Sequence, residues 1–393
     1  MAASSAFPLK LLGQSTAERL DYFRCYTVRH PRLEEMDARL WRLIHAQIGA
    51  PLIFIFGPPG VGKTTLCGRI HQRLVRQAAT DAGAEWKGGA IVLETEAIAP
   101  ENGNFNWRDF YQRSLSALEG PFVNDPAREP LPSINPRLAH ALTFNPRLPH
   151  CEFRLALEHA LKFRRPAAFL IDDAQHIAKI ASGRRLQDQM DVLKSLASKS
   201  KTTLMLLGTY ELLNFRNLSG QLSRRSIDLH FRRYRTSAED LKAFHSALWA
   251  FQRHLPLTIE PELMKHWEYC YAHSIGCVGI LKDWLTRSLY EALETNARSI
   301  TIKMLEQHAL SIDQCETLAT EAIEGEARLS NGGGSPAKLM RLLGLDKSSM
   351  RGMPIPVEAQ SEEALLKTPV KLKPHLPRTV GRRKPHRDAV GKR

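Results

Sequence analysis

The sequence predicts an α/β protein, with a three-layer domain on a mostly parallel sheet followed by a small all-helical domain. Two observations carry this. Short apolar runs at 52–56, 90–94, 167–172, 203–207 and 227–231 alternate with longer stretches at helical spacing. Alternation of that kind packs helices on both faces of a parallel sheet. After about Arg235 the strand-like runs stop and only helical periodicity continues.

Taken in order, residues 1–48 read as an arm and a helix. Pro31 suits a helix start, and Leu33, Met36, Leu40 and Ile44 recur at helical spacing. Residues 49–235 form the core. Its first strand, Leu52-Ile-Phe-Ile-Phe56, lies between Pro51 and Gly57 and is apolar throughout, as a strand buried on both faces must be. Residues 236–322 form the helical domain. Thr236-Ser-Ala-Glu239 resembles a capping box and opens a helix through His254; further helical patterns cover 260–274, 277–295 and 301–321. Asn331-Gly-Gly-Gly-Ser-Pro336 breaks the pattern within a linker set at 323–366, which holds one short helix near 336–344. Residues 367–393 form a basic, disordered tail.

The net charge is +14, but residues 367–393 hold ten Lys/Arg against one Asp and supply +9 of it, leaving +5 for the other 366 residues. The tail therefore reads either as a solvated end or as a contact for DNA or a partner. Six scattered cysteines with no C-x-x-C pair argue against a disulfide framework or a zinc site. No apolar run approaches the roughly 20 residues of a membrane span, and Met1 to Gln14 lacks the basic start and long apolar stretch of a signal peptide, so none is expected. The expected location is cytoplasmic, with no membrane partner.

The most specific motif is Gly57-Pro58-Pro59-Gly60-Val61-Gly62-Lys63-Thr64, a full G-x-x-x-x-G-K-T P-loop set between a strand and a helix. Glycines let backbone N–H groups, with Thr65 closing the turn, curl around phosphates at the positive end of a helix dipole. Lys63 places a charge on the β- and γ-phosphates, and Thr64 reaches Mg²⁺. ATP and Mg²⁺ are the cofactors expected. The strand 167–172 ends in Asp172-Asp173. Asp172 is the second metal-site residue, acting through water, and Asp173 polarises the attacking water. Asp173 is one methylene shorter than the glutamate usual in hydrolysing AAA+ proteins, so turnover is expected to be slow, or else a rearranged water serves. Thr209 closes an apolar strand where a sensor of the lytic water belongs, although a strand also ends in Thr for capping. Arg224 and Arg225 precede the last strand and suit an arginine finger that reaches a neighbour's γ-phosphate; the site would then be shared and the protein a homo-oligomer.

This order of parts resembles the TnsC/TniB branch of AAA+ ATPases, relatives of the phage MuB protein, over roughly residues 20–315. Tyr26-Thr-Val-Arg-His-Pro-Arg-Leu33 resembles the family's pre-core stretch, Asp172-Asp-Ala-Gln-His176 its D-E-A-Q-H, and Gly208-Thr-Tyr-Glu-Leu212 its G-T-x-E-L. Gln221-Leu-Ser-Arg-Arg225 resembles the finger region, and Ile275-Gly-Cys-Val-Gly-Ile-Leu-Lys-Asp-Trp284 the lid signature. The resemblance implies a five-stranded parallel sheet with a four-helix lid, and places His30 and Pro31 beside the adenine. Many AAA+ lids carry an arginine where Gly279 stands, and Lys282 is the candidate substitute. The resemblance also implies a role: ATP-dependent rings or helical filaments on double-stranded DNA that link a target-selector protein to transposase subunits, with hydrolysis driving disassembly.

Such relatives hold DNA on segments after the second strand and after the strand bearing the acidic pair. Here these supply Asn104 and Arg108, and Lys179, Arg184 and Arg185. Contact would be to phosphates, without base readout and with steep salt dependence. Phe105 and Trp107 read as packing residues, and the arginine pair reads equally as the start of a solvated helix. Two other readings stay open. One is a replication-initiator or helicase-loader AAA+ protein, although a linker rather than a winged helix follows the lid. The other is a nucleotide-gated DNA scaffold of slow turnover, motivated by Asp173.

Overall fold

The computed structural model describes residues 6–45, 52–82, 92–101, 103–119, 150–179, 183–216, 218, 224, 226–330 and 336–343. The chain divides into two units, Met1–Gly332 and Gly333–Arg393. The first unit opens with helices α1 (Thr16–Cys25) and α2 (Pro31–His45), then strand β1 (Leu52–Phe56), α3 (Lys63–Ala82) and β2 (Val92–Glu96). Next come α4 (Trp107–Glu119), α5 (His150–Arg164), β3 (Ala168–Asp172), α6 (Gly183–Ser200), β4 (Leu204–Gly208) and β5 (Ser226–His230). The helical part holds α7 (Ala238–His254), α8 (Trp267–Ser274), α9 (Val278–Glu294), α10 (Ile302–His308) and α11 (Ile312–Ser330).

The five strands form one sheet in the order β2-β3-β4-β1-β5. Every pairing is parallel, with Leu52 opposite both Leu204 and Ser226. Alternation assigns each strand residue to a face. Leu52, Phe54, Phe56, Phe169, Ile171, Leu204 and Leu206 point to one core with α4, α5 and α6. Ile53, Ile55, Ala168, Leu170, Met205 and Leu207 point to the other with α2 and α3. Side chains on both faces are buried, which is why the central strands are apolar up to their last residue. Each fully buried Leu or Ile contributes about 1.5–3 kcal/mol.

The second strand spans Val92–Glu96 instead of 90–94. It is an edge strand, so Glu94 and Glu96 can stand within it partly solvated, which a search for apolar runs misses. The helix expected over 301–321 is two helices, α10 and α11. Ala309 is extended and ends the first, and α11 runs on to Ser330, into the stretch expected as linker. Its continuation has a packing cause: Ala322 joins the core under the sheet and Arg328 donates to Asn214 Oδ1 at 2.9 Å.

The N-terminal region also divides. A capping box at Ser15 and Glu18 starts α1, whose Leu20 and Phe23 belong to the core of the helical domain, whereas Leu33, Met36 and Leu40 of α2 belong to the sheet. In the second unit the described residues form one helix, α12 (Pro336–Leu342), with Leu339 and Leu342 exposed. The basic tail and most of the linker lie outside the described residues. Among the described residues no helix is long and apolar enough to cross a membrane.

Candidate nucleotide site

The carboxyl ends of adjacent parallel strands meet along one edge of the sheet, and the chemistry gathers there. Phe56 pairs with Gly208 across β1 and β4, and Glu96 with Asp172 across β2 and β3. The chain leaves β1 directly into the P-loop and enters α3 at Lys63. Gly62 sits at φ +107°, a conformation L side chains rarely adopt, so glycine is required there. The backbone N–H groups opening α3 lie at the positive end of that helix's dipole, a geometry that suits a phosphate.

Lys63 is buried, and its Nζ donates to the carbonyls of Gly57 at 3.0 Å and Pro58 at 2.9 Å. Burial pulls its pKa down, and Asp172 opposes the shift. Thr64 Oγ1 donates to Asp172 Oδ2 at 2.8 Å. A hydroxyl and a carboxylate oxygen thus converge at the loop, a hard oxygen pair that fits Mg²⁺ carried in by phosphates. Asp173 follows in the left-handed region at φ 49° and donates its N–H to Asp172 Oδ1 at 2.9 Å. That backbone conformation costs a non-glycine residue about 1–2 kcal/mol, and Asp is among the few types that adopt it.

Thr209 lies just past β4. Its hydroxyl accepts from the Glu211 N–H at 3.4 Å, capping the 3-10 turn Tyr210–Phe215, and its own N–H donates to Gln175 Oε1 at 3.2 Å. Gln175 Nε2 reaches Asp173 Oδ1 at 3.0 Å. Sequence reasoning gave Gln175 no role. Only its place in a quoted motif marked it.

The helical domain closes over the loop. Gly279, in the first turn of α9, donates its N–H to Gly60 O at 2.7 Å, and a Cβ at 279 would lie 2.4 Å from that oxygen. An arginine has no room there. Lys282 is half-buried, and its Nζ donates to the Arg24 carbonyl at 2.6 Å, tying α9 to α1. Behind the site Glu326 of α11 pairs with Arg235 at 2.9 Å and Arg233 at 3.2 Å, fixing the helical domain to the end of β5.

His30 is buried before α2 with Nδ1 3.0 Å from the Tyr234 hydroxyl, while Pro31 is exposed at the first position of α2. Burial, helped by the charge of Arg69, pulls the His30 pKa down to about 4. Arg224 is exposed, and Arg225 lies outside the described residues.

Of the DNA candidates, Asn104 and Lys179 are exposed. The Arg108 guanidinium lies 5.1 Å from the centre of the Phe153 ring. Phe105 is buried with its ring 5.1 Å from that of Trp107, whose indole donates to Gln189. Both aromatics pack. Arg184 and Arg185 fall in the first turn of α6, with side chains outside the described residues.

Residues 46–215 match the AAA domain family. Together with the parallel sheet and the P-loop geometry, this makes the core a AAA-type P-loop nucleotide-binding fold. No curated protein matches the chain. Solved structures similar to it include Drosophila ORC bound to DNA, at 16% identity and a TM-score of 0.45, covering 88% of this chain and 75% of that one. The Aeropyrum pernix ORC1 protein in complex with DNA is similar at 16% identity and a TM-score of 0.48, covering 84% and 75%. A Walker-type ATPase of Pyrococcus abyssi is similar at 15% identity and a TM-score of 0.46, covering 82% and 83%. At these scores the likeness bears on neither substrate nor partner.

Proposed function

We propose that the protein is an ATP-hydrolysing regulator of transposition that assembles as homo-oligomeric rings or filaments on double-stranded DNA, without sequence preference. In this reading it links a target selector to transposase subunits, and hydrolysis releases the assembly. The observation that carries the ATPase half is the convergence of Lys63, Thr64, Asp172, Asp173 and Thr209 at the ends of β1, β3 and β4. The DNA half is supported by the family-like segments at 26–33, 172–176, 208–212, 221–225 and 275–284.

In the mechanism the P-loop N–H groups cradle the phosphates, and Lys63 leaves the Gly57 and Pro58 carbonyls to meet them. Thr64 and Asp172 would hold Mg²⁺, which supplies charge neutralisation at the phosphates. Asp173 accepts a proton from the water that attacks the γ-phosphorus. The bond from that phosphorus to the bridging oxygen breaks, and ADP and phosphate leave. The short Asp173 side chain fits slow turnover. Arg224 or Arg225 of a neighbouring subunit would complete the site.

The test is electron microscopy of the purified protein on a long random-sequence duplex, with and without a non-hydrolysable ATP analogue. Rings or filaments that require both DNA and nucleotide are expected. Separate particles indifferent to DNA would remove the DNA assignment and leave the nucleotide site standing.

A further inference from the structure

Asp173 has a short side chain on a strained backbone, so something must hold its carboxylate where a water can use it. The candidate is a single amide. Gln175 is 7% exposed, and its two ends are committed in opposite directions. Oε1 accepts from the Thr209 N–H at 3.2 Å, and Nε2 donates to Asp173 Oδ1 at 3.0 Å. The orientation is not a free choice. A backbone N–H can only donate, so the amide oxygen must face Thr209 and the NH₂ must face the carboxylate.

The fit is tight around this group. A Cβ at position 208 would lie 2.3 Å from Gln175 Oε1, so only glycine lets the amide reach the end of β4. Gly208, Thr209, Gln175 and Asp173 therefore form one unit across two neighbouring strands.

We propose that Gln175 is a positioning residue for hydrolysis, bridging the Asp173 carboxylate to the Thr209 backbone so that both present one geometry to the attacking water. This rests on the ATPase reading above. With Oδ1 of Asp173 held by the amide, Oδ2 is left to accept from water. Breaking the bridge leaves the P-loop untouched, so it lowers turnover and spares binding. Displacing a catalytic group by about 1 Å costs on the order of 100-fold in rate, so a loss of about 10- to 100-fold in kcat is expected.

The experiment measures phosphate release and affinity for a fluorescent ATP analogue in four full-length proteins: wild type, Gln175→Leu, Asp173→Asn and the double variant. Gln175→Glu is added because it keeps an acceptor for Thr209 and loses the donor to Asp173. Gln175→Leu and Gln175→Glu should both lose kcat, with nucleotide affinity within twofold of wild type. In the Asp173→Asn background, Gln175→Leu should cost far less than in wild type, because the carboxylate it positions is gone. Equal losses in both backgrounds, or a loss of affinity matching the loss of kcat, would show a structural role and overturn the proposal. So would unchanged turnover in Gln175→Leu. Wild type that binds nucleotide without turnover would instead remove the ATPase reading itself, with this one included.

Discussion

The nucleotide site has a sheet side and a lid side, and they are built by different rules. On the sheet side, Lys63 opens the helix after β1, Asp172 ends β3 and Thr209 follows β4, and parallel pairing brings those strand ends together. Function there depends on which side chain is present. On the lid side, α9 reaches the P-loop through Gly279, and the contact depends on a side chain being absent. The sheet side is local chemistry on a repeating scaffold. The lid side is long-range packing, in which one methyl group is too much.

That contrast gives the largest expected effect. Gly279→Arg installs the residue many AAA+ lids carry, yet its Cβ would start 2.4 Å from Gly60 O. The oxygen is backbone and the Cβ position is fixed by the backbone, so neither can rotate away. Overpacking of this kind costs about 1–3 kcal/mol. The thermal midpoint should drop by several degrees, and affinity for ATP should fall as the lid lifts from the loop. Unchanged stability with tighter ATP binding would mean that the two sides are less tightly joined than the Gly279–Gly60 contact implies.

A smaller effect tests the seam between the sides. His30 precedes α2 on the sheet and faces Tyr234 in the helical core. Its pKa is about 4 in the folded protein, below the ordinary value of 6.5, with burial the larger cause and Arg69 the smaller. The unfolded chain therefore binds a proton between those two values that the folded chain refuses. Stability is intact above pH 6.5 and declines as pH falls toward 4, by about 1.4 kcal/mol per pH unit from this group. His230, also lowered to about 4 by burial and nearby arginines, adds a slope of the same sign. His30→Gln should remove only its own part, a difference of about 2 kcal/mol at pH 5 against none at pH 7.5. Urea midpoints at the two pH values measure it, and equal acid losses in wild type and variant would show that His30 is not the group responsible.

The same division explains what was legible in the sequence. The three central strands and the P-loop are legible because burial on both faces leaves apolar runs and because phosphate binding demands glycine at fixed spacing. Thr64 and Asp172 could be paired for the same reason, each standing at an element boundary. The edge strand β2 lies two residues beyond its apolar run because its glutamates conceal it. Gln175 was visible only as a letter in a motif. Its partner Thr209 is one residue past another strand, and nothing in local spacing says so. The continuation of α11 was hidden because the cause, a tertiary contact through Ala322 and Gly325, lies with Tyr210 and the core rather than in the helix itself. Gly279 was noted as a missing arginine, but the reason for its absence needed the Gly60 carbonyl.

The smallest expected effect concerns the residue that sequence reasoning offered in the arginine's place. Lys282 Nζ is committed to the Arg24 carbonyl at the end of α1, where a cation also meets the negative end of that helix's dipole. Partly exposed contacts of this type are worth about 0.5 kcal/mol. Lys282→Ala should therefore lower the thermal midpoint slightly and leave ATP affinity within about twofold, read by titration with a fluorescent analogue. A tenfold loss of affinity at unchanged stability would show that the lysine swings to the nucleotide when ATP arrives. With a small effect, the lid offers the phosphates no side-chain cation from Gly279 or Lys282. What it brings to the loop instead is the backbone of α9, with the positive end of its dipole set against the P-loop because Gly279 lets it approach.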